Sequence, residues 1–203
     1  MVYLYYGECM KIGIDIDGVL TDEYNYIIDN ATRYFEENNI DYKINKKVYD
    51  DCKLFNVSND NYTNFWKEYF VSYCKNVLAR PYAKEIIDKL KSEGNEIVII
   101  TARPLTYFKN KYQQEMKDLA KNWLDKNKIY YDELLFSNEK LDTCLKNNID
   151  IMIEDRPENI ASVSSGIKVI CYDQPYNEDL NNDNITRCYS WYDIYNVISK
   201  INK

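Results

Sequence analysis

The sequence predicts an α/β fold in which a parallel sheet carries helices on both faces and a small helical cap follows the first strand. Short apolar runs of four or five residues alternate with longer segments of helical periodicity, as in strand–helix–strand units. Residues 21–80 interrupt this alternation with helical patterns and no convincing strand. Since a crossover between two parallel strands needs only one helix, the surplus predicts the cap.

Five apolar runs predict the strands of the sheet. Four of them are rich in Ile or Val, and all five are bounded by polar or turn residues, which favours strands that are covered on both faces. The predicted strands are 12–16, 97–100, 133–136, 149–153 and 168–172.

Helical periodicity fills the segments between the strands. Residues 83–92 place Ile86, Ile87 and Leu90 on one face and are followed by Gly94, a typical helix stop. Residues 108–127 carry apolar side chains at three- and four-residue spacing, which predicts a second amphipathic helix.

The insert and the chain start define the predicted domains. Within the insert, residues 24–37 and 61–77 predict cap helices. We therefore predict a core domain of residues 10–20 and 81–203, a cap of residues 21–80, and an N-terminal extension of residues 1–9. Because Met10 directly precedes the first strand, we expect this extension to be dispensable.

Composition excludes several classes of function. A net charge of −7 disfavours a nucleic acid polymer as partner, because phosphate backbones select for excess Lys and Arg. The absence of histidine removes Ser-His-Asp and Cys-His catalysis and His-ligated zinc. Six cysteines without a C-x-x-C pair argue against zinc ribbons and thioredoxin-type motifs.

The chain also lacks the features of exported and membrane proteins. Residues 1–10 hold no secretory hydrophobic segment, and no apolar run approaches the roughly 18 residues of a membrane span. We therefore expect a cytoplasmic protein with no membrane partner. The sequence leaves the oligomeric state open between a monomer and a homodimer.

Paired acids follow the first predicted strand. Alternate residues of an extended chain point the same way, so Asp15 and Asp17 can face one site. Gly18 allows the backbone to turn sharply and approach a ligand. Two close carboxylates repel each other unless a cation lies between them, and Mg²⁺ prefers such oxygen ligands. The alternative is a polar turn without chemistry.

Polar residues also follow the second strand. Thr101 supplies a hydroxyl, and Ala102 and Arg103 supply backbone N–H groups just beyond the strand end. Such groups form a seat for phosphate.

Charged residues also follow the third and fourth predicted strands. Lys140 begins a predicted helix after the third strand, where by itself it would be interpreted as a surface lysine. Glu154 and Asp155 end the fourth strand, a costly arrangement for buried acids that have no partner.

Four motifs follow one another along the chain: a strand with acids, a strand with Thr, a Lys, and a strand with acids. This is the motif order of the haloacid dehalogenase superfamily, which the chain resembles over nearly its full length. Asp15 to Asp22, Thr101 to Pro104 and Glu154 to Pro157 are most similar to the 5′(3′)-deoxyribonucleotidases and their bacterial nucleotidase-like relatives. The resemblance implies a Rossmann-like sheet of order 3-2-1-4-5. The carboxyl ends of strands one, two and four would then share one cleft.

The resemblance further implies a Mg²⁺-dependent phosphatase. Asp15 would attack phosphorus and form an aspartyl phosphate, and Asp17 would act as acid and then as base. Mg²⁺ would be held by Asp15, the Asp17 carbonyl, and Asp155 or, alternatively, Glu154. The expected phosphate contacts are Gly18, Thr101, Ala102, Arg103 and Lys140.

Two positions depart from the closer relatives. The acid pair is Glu154-Asp155 where those proteins have two aspartates, which leaves the direct metal ligand open between the two. Ala102 stands where a second hydroxyl is common, which removes one expected phosphate hydrogen bond and weakens a strict nucleotidase assignment.

Aromatic residues in the cap bear on the substrate. Phe65 and Trp66 lie in an aromatic cluster at helical spacing and could stack on a base, or could instead pack the cap's own core. The leading interpretation is a nucleoside monophosphate phosphatase. The alternatives are a phosphatase of another small phosphorylated metabolite and a catalytically silent binding protein on the same fold.

Overall fold

The computed structural model describes residues 9–107 and 109–201, so the predicted N-terminal extension lies outside the described residues except for Cys9. Six strands form one sheet, and each pair of neighbours is parallel. The strands are β1 (Lys11–Ile14), β2 (Glu96–Thr101), β3 (Glu133–Phe136), β4 (Ile151–Glu154), β5 (Lys168–Tyr172) and β6 (Ile185–Cys188).

Helices connect the strands and also form the insert between β1 and β2. They are α1 (Glu23–Glu37), α2 (Asp51–Phe55), α3 (Asn59–Asn76), α4 (Ala83–Ser92), α5 (Gln113–Lys126), α6 (Lys140–Lys146), α7 (Pro157–Val163) and α8 (Trp191–Ile201). Every helix in this part of the chain is too short or too polar to cross a lipid bilayer.

The strand order is β3-β2-β1-β4-β5-β6, which confirms the predicted order of the first five strands. The sixth strand was not predicted. It pairs with β5 at the sheet edge, and of its four residues only Cys188 is buried. A strand with one buried side chain has no apolar run in its sequence, so periodicity does not reveal it.

Local hydrogen bonds shift two predicted boundaries. β1 ends at Ile14 because the Ile16 carbonyl accepts the N–H groups of Leu20 and Thr21 at 2.9 and 3.0 Å, which starts a turn. The second predicted core helix begins at Gln113, since the Asn110 side chain accepts the Tyr112 N–H at 2.8 Å and forms a turn before it.

The sheet buries both of its faces. In β2, Ile97 and Ile99 pack in one cluster with α4, α5 and α8, whereas Val98 and Ile100 pack in another with α6 and α7. Alternate residues of a strand point to opposite faces, so the continuous apolar run reflects two covered faces, as predicted.

The insert packs largely on itself. Helices α1, α2 and α3 share a separate cluster of buried side chains that includes Phe35, Phe55 and Phe65. The chain leaves and re-enters the core at a narrow neck, where Thr21 bridges to Ala79. The division into a core of residues 10–20 and 81–203 and a cap of residues 21–80 remains a proposal, which these contacts support.

Candidate active site

Three buried carboxylates gather where β1 and β4 end side by side. Asp15 follows β1, Glu154 ends β4 and Asp155 follows it, and one oxygen of each lies within 4.8 Å of the others. The Asp15 N–H donates to the Ile153 carbonyl at 3.1 Å, which continues the β1–β4 pairing into the loop. The parallel sheet therefore brings together acids that lie far apart in sequence.

One lysine partly offsets this negative charge. Lys140 is the first residue of α6, as predicted, and its Nζ lies 2.7 Å from both Asp15 Oδ1 and Glu154 Oε2. Its side chain is buried between them. A single ammonium group balances only one of three carboxylates, so the cluster retains negative charge whenever all three are ionised.

The pKa values of two acids reflect this imbalance. Burial raises the pKa of Asp15 to about 7, although Lys140 lowers it and Glu154 raises it further. Burial, with the charges of Glu154 and Asp15, raises the pKa of Asp155 well above its usual range. Both carboxylates would become easier to ionise beside a further positive charge.

Glu154 has no free oxygen to offer a metal ion. Its Oε1 accepts the backbone N–H groups of Asp155 and Arg156, each at 3.1 Å. Its Oε2 accepts from Lys140 at 2.7 Å and from the Asn159 amide at 3.2 Å. Glu154 therefore orients the groups around it.

Asp155 has the opposite arrangement. Its Oδ2 accepts the Tyr176 hydroxyl, while its buried Oδ1 has no hydrogen-bond partner among the described residues. An unpaired buried carboxylate oxygen is costly unless a cation approaches it. The donor set therefore fits a hard divalent cation, and it favours Asp155 over Glu154 as the direct ligand.

Gly18 allows Asp155 to occupy this position. Its φ is +83°, and a Cβ added there would lie 1.9 Å from Asp155 Oδ2. Its N–H donates to Thr21 Oγ1 at 3.2 Å. The N–H is thus used within the loop, and the phosphate contact of Gly18 stays a prediction. The absence of a side chain at Gly18 leaves room for the Asp155 carboxylate.

Asp17 is held by donors from the core and the cap. Its Oδ1 accepts Arg103 Nη2 and the Tyr73 hydroxyl, each at 2.6 Å, and its Oδ2 accepts Arg103 Nε at 3.1 Å. Burial raises the pKa of Asp17, but the charge and hydrogen bonds of Arg103 and the Tyr73 hydrogen bond outweigh it and leave the pKa below its usual value. The Asp17 carboxylate therefore favours the ionised form.

This pairing changes the expectation for Arg103. We predicted a phosphate contact, but two of its three guanidinium nitrogens bond Asp17. Only Nη1 lacks a hydrogen-bond partner within the described residues. Thr101 lies buried at the end of β2, where its Oγ1 accepts the Arg103 N–H at 3.2 Å, and Ala102 lines the neighbouring cleft.

A cleft of about 630 Å³ lies between cap and core above Asp15 and Asp17. Its cap side includes the aromatic residues Tyr62, Trp66, Phe70 and Tyr73. Phe65 is absent from this lining: it is fully buried and stacks on Tyr69 with ring centroids 4.9 Å apart.

The two candidate base contacts therefore separate. Successive residues of a helix point about 100° apart, so only one of two neighbours can face the cleft. Trp66 does, whereas Phe65 packs in the core of the insert, the second of the two alternatives that the sequence left open for it.

Sequence reasoning missed Tyr73, Asn159 and Tyr176, which contact Asp17, Glu154 and Asp155 respectively. The two tyrosines are among 21 in the chain and lie in no motif. Asn159 offered one local signal, because it falls in the first turn of a helix that begins directly after the paired acids.

The profile of the family described as 5′ nucleotidase, deoxy (pyrimidine), cytosolic type C protein (NT5C) matches residues 9–203. The chain belongs to this nucleotidase family. A nucleotidase from Clostridium acetobutylicum is 33% identical over 202 residues, covering 96% of each chain. A Chlorobaculum tepidum protein, named as a candidate 5′(3′)-deoxyribonucleotidase, is 29% identical and covers 92% of this chain and 89% of its own length.

Solved structures agree on the fold. A haloacid dehalogenase-like hydrolase from Streptococcus pneumoniae superposes with a TM-score of 0.65 at 17% identity, covering 94% of this chain and 98% of its own. At that identity the likeness shows the fold alone. Together with the family match, it confirms the predicted superfamily and identifies the NT5C-family chain as an enzyme of the phosphatase and nucleotidase class.

Proposed function

We propose that this enzyme is a Mg²⁺-dependent phosphomonoester hydrolase that dephosphorylates nucleoside monophosphates through an aspartyl phosphate on Asp15. One observation carries the proposal: Asp155, whose Oδ1 is unpaired among the described residues, belongs to a buried acid cluster with Asp15, and Lys140 offsets only part of the charge. Such a cluster fits a divalent cation and the phosphate dianion that it would attract.

The metal would be held by the side chains of Asp15 and Asp155 and by the Asp17 carbonyl. When bound, Mg²⁺ supplies positive charge to the carboxylates and to the phosphate. Glu154, whose oxygens are both occupied by hydrogen bonds, would keep Lys140 and Asn159 oriented around the site.

The chemical steps fall to residues of the chain. Asp15 attacks phosphorus in line and the bond to the leaving oxygen breaks. Asp17 protonates that oxygen only after it has itself taken up a proton, because Arg103 and Tyr73 favour its ionised form. Asp17 then takes a proton from the water that hydrolyses the aspartyl phosphate, a step suited to the ionised form that Arg103 favours. Lys140, the Thr101 hydroxyl and the Ala102 N–H would hold the phosphate oxygens.

The cleft and the relatives support a nucleotide substrate. A cleft of about 630 Å³ is in the range of small-molecule sites, and its aromatic cap side could stack on a base. Relatives with this degree of similarity are named nucleotidases.

A cytoplasmic location is part of the proposal, supported by the six cysteines, which are all free thiols.

A turnover screen tests the function. Nucleoside 5′- and 3′-monophosphates, sugar phosphates and p-nitrophenyl phosphate are assayed with Mg²⁺, with chelator, and with Mg²⁺ restored. We expect kcat/KM to be at least about tenfold higher for a nucleotide than for the sugar phosphates, in line with stacking energies. Chelator should reduce activity to background, reversibly, because little else offsets the carboxylates.

Each other result points elsewhere. Full activity in chelator would exclude the metal role. A preference for sugar phosphates would support the alternative of another metabolite. Binding of Mg²⁺ without turnover of any ester would support a silent binding protein.

A matched pair of cap variants tests the substrate contact. Trp66→Ala removes a ring that lines the cleft, so nucleotide kcat/KM should fall about tenfold relative to that of p-nitrophenyl phosphate. Phe65→Ala empties a buried site in the cap, so it should cost about 3–5 kcal/mol of stability without changing that ratio. An unchanged ratio in Trp66→Ala would remove the nucleotide assignment's support from the cap.

A further inference from the structure

Tyr176 is the residue that fixes the side chain of Asp155. Its hydroxyl, in the loop after β5, donates to Asp155 Oδ2, and no other hydrogen bond reaches that carboxylate from residues 9–107 and 109–201. The side chain belongs to the cluster with Asp15, and its second oxygen, Oδ1, is unpaired among the described residues. Through Oδ2, the phenol of Tyr176 limits the rotation of the carboxylate that carries this free oxygen.

The loop that carries Tyr176 is itself fixed to the sheet. The Asn177 amide donates to the Asp155 carbonyl at 2.8 Å and to the Tyr172 carbonyl at 3.0 Å. Arg187 on β6 donates to Asn177 Oδ1 at 2.7 Å. The unpredicted edge strand thus supports the backbone from which Tyr176 reaches Asp155.

The ring of Tyr176 lies between two rings of the insert. Tyr24 of α1 and Tyr49 of the loop before α2 pack edge-on against it, with centroids at 5.7 and 5.1 Å. Lys47 of the same insert loop forms an ion pair with Glu178, two residues beyond Tyr176. The insert therefore packs against a residue that touches the acid cluster.

Asp155 needs this hydrogen bond because the neighbouring carboxylates repel its own carboxylate. Asp15 and Glu154 both raise its pKa through their negative charges. Without a donor on Oδ2, rotation away from Asp15 would relieve this repulsion at no hydrogen-bonding cost.

We propose that Tyr176 is a positioning residue for Asp155, and that the cap rings of Tyr24 and Tyr49 hold it so that cap packing sets the affinity of the site for Mg²⁺. This inference rests on the metal site of the proposed function. Residues that orient a metal ligand commonly change metal affinity by about 10- to 100-fold when they are removed.

Calorimetric titration of the full chain with Mg²⁺ tests the proposal directly. Tyr176→Phe keeps the ring and removes the hydroxyl, so the Mg²⁺ dissociation constant should rise about tenfold. The loss of turnover in this variant should be recovered by raising Mg²⁺. The matched control is Tyr24→Phe, which removes a buried hydroxyl without a hydrogen-bond partner among the described residues and should leave the Mg²⁺ affinity unchanged.

A double-mutant cycle tests the link to the cap. Tyr24→Ala removes the supporting ring and should weaken Mg²⁺ binding about threefold in the wild-type background, with no further effect in Tyr176→Phe. Melting temperatures without Mg²⁺ report general destabilisation separately. A lower melting temperature with unchanged Mg²⁺ affinity in Tyr176→Phe would overturn the proposal.

The Mg²⁺ titrations distinguish the metal site from the role of Tyr176. No Mg²⁺ binding by the wild-type protein would refute the proposed metal site and this inference with it. Equal Mg²⁺ binding by wild type and Tyr176→Phe would refute only the role of Tyr176. Equal binding by Tyr24→Phe and Tyr24→Ala would refute the role of the Tyr24 ring.

Discussion

Replacing Asp15 by Asn is expected to lower kcat by at least about a thousandfold while the fold is kept. The amide is nearly isosteric with the carboxylate but cannot attack phosphorus. The side chain is buried beside Glu154, and Lys140 keeps its 2.7 Å contact with Glu154 when Asp15 is neutral. The fold therefore loses no packing and has one negative charge fewer in a crowded cluster.

The measurement is steady-state turnover of the best substrate, with far-ultraviolet circular dichroism to verify folding. Asp118→Asn is the matched control, since it makes the same chemical change on the exposed face of α5 and should leave kcat unchanged. If Asp15→Asn retained more than about a tenth of wild-type kcat, covalent catalysis through Asp15 would be excluded.

Gly18→Ala should have the second largest effect, abolishing Mg²⁺ binding and turnover together. The new Cβ would lie 1.9 Å from Asp155 Oδ2, a distance at which the carboxylate must move. The residue also has a φ of +83°, so the backbone strain should cost about 1–3 kcal/mol of stability.

Gly94→Ala is the control that distinguishes the effect of backbone strain from the effect of a side chain close to Asp155. Gly94 has a φ of +95° after α4, and a Cβ there would meet only Cys9 Sγ at 3.0 Å within the described residues. This variant should lose similar stability yet keep Mg²⁺ affinity and kcat. Calorimetric Mg²⁺ titration of both variants decides the matter: if Gly18→Ala bound Mg²⁺ as Gly94→Ala does, the close approach to Asp155 would not be needed for the site.

Much of the fold could be predicted because its signals are local. The buried strands are short apolar runs with turn residues on either side, and α4 has the predicted bounds together with the predicted glycine stop. The four motifs follow the carboxyl ends of strands, and those ends share one edge in a parallel sheet. With the strand order that the family resemblance implies, Asp15, Thr101 and Asp155 could therefore be expected at one cleft before any packing was known.

The contacts that complete the site could not be predicted because they join distant segments. Tyr73 reaches Asp17 across 56 residues, and Tyr176 reaches Asp155 across 21. Neither tyrosine lies in a motif. The edge strand β6, which supports the Tyr176 loop through Arg187, has a half-exposed, polar sequence.

Spacing and residue type predicted the strands and the acids, because those signals are local, whereas the order of five strands came from the family that the motifs resemble. Packing and hydrogen bonds distinguish residues that are neighbours in the chain. Glu154 and Asp155 are equivalent candidates for the metal ligand in the sequence. In the structure, hydrogen bonds occupy both oxygens of Glu154 and leave Asp155 Oδ1 unpaired among the described residues. Phe65 and Trp66 are likewise equivalent candidates for a base contact in the sequence. A helix directs adjacent side chains about 100° apart, and packing of the cap against the core decides which one faces the cleft.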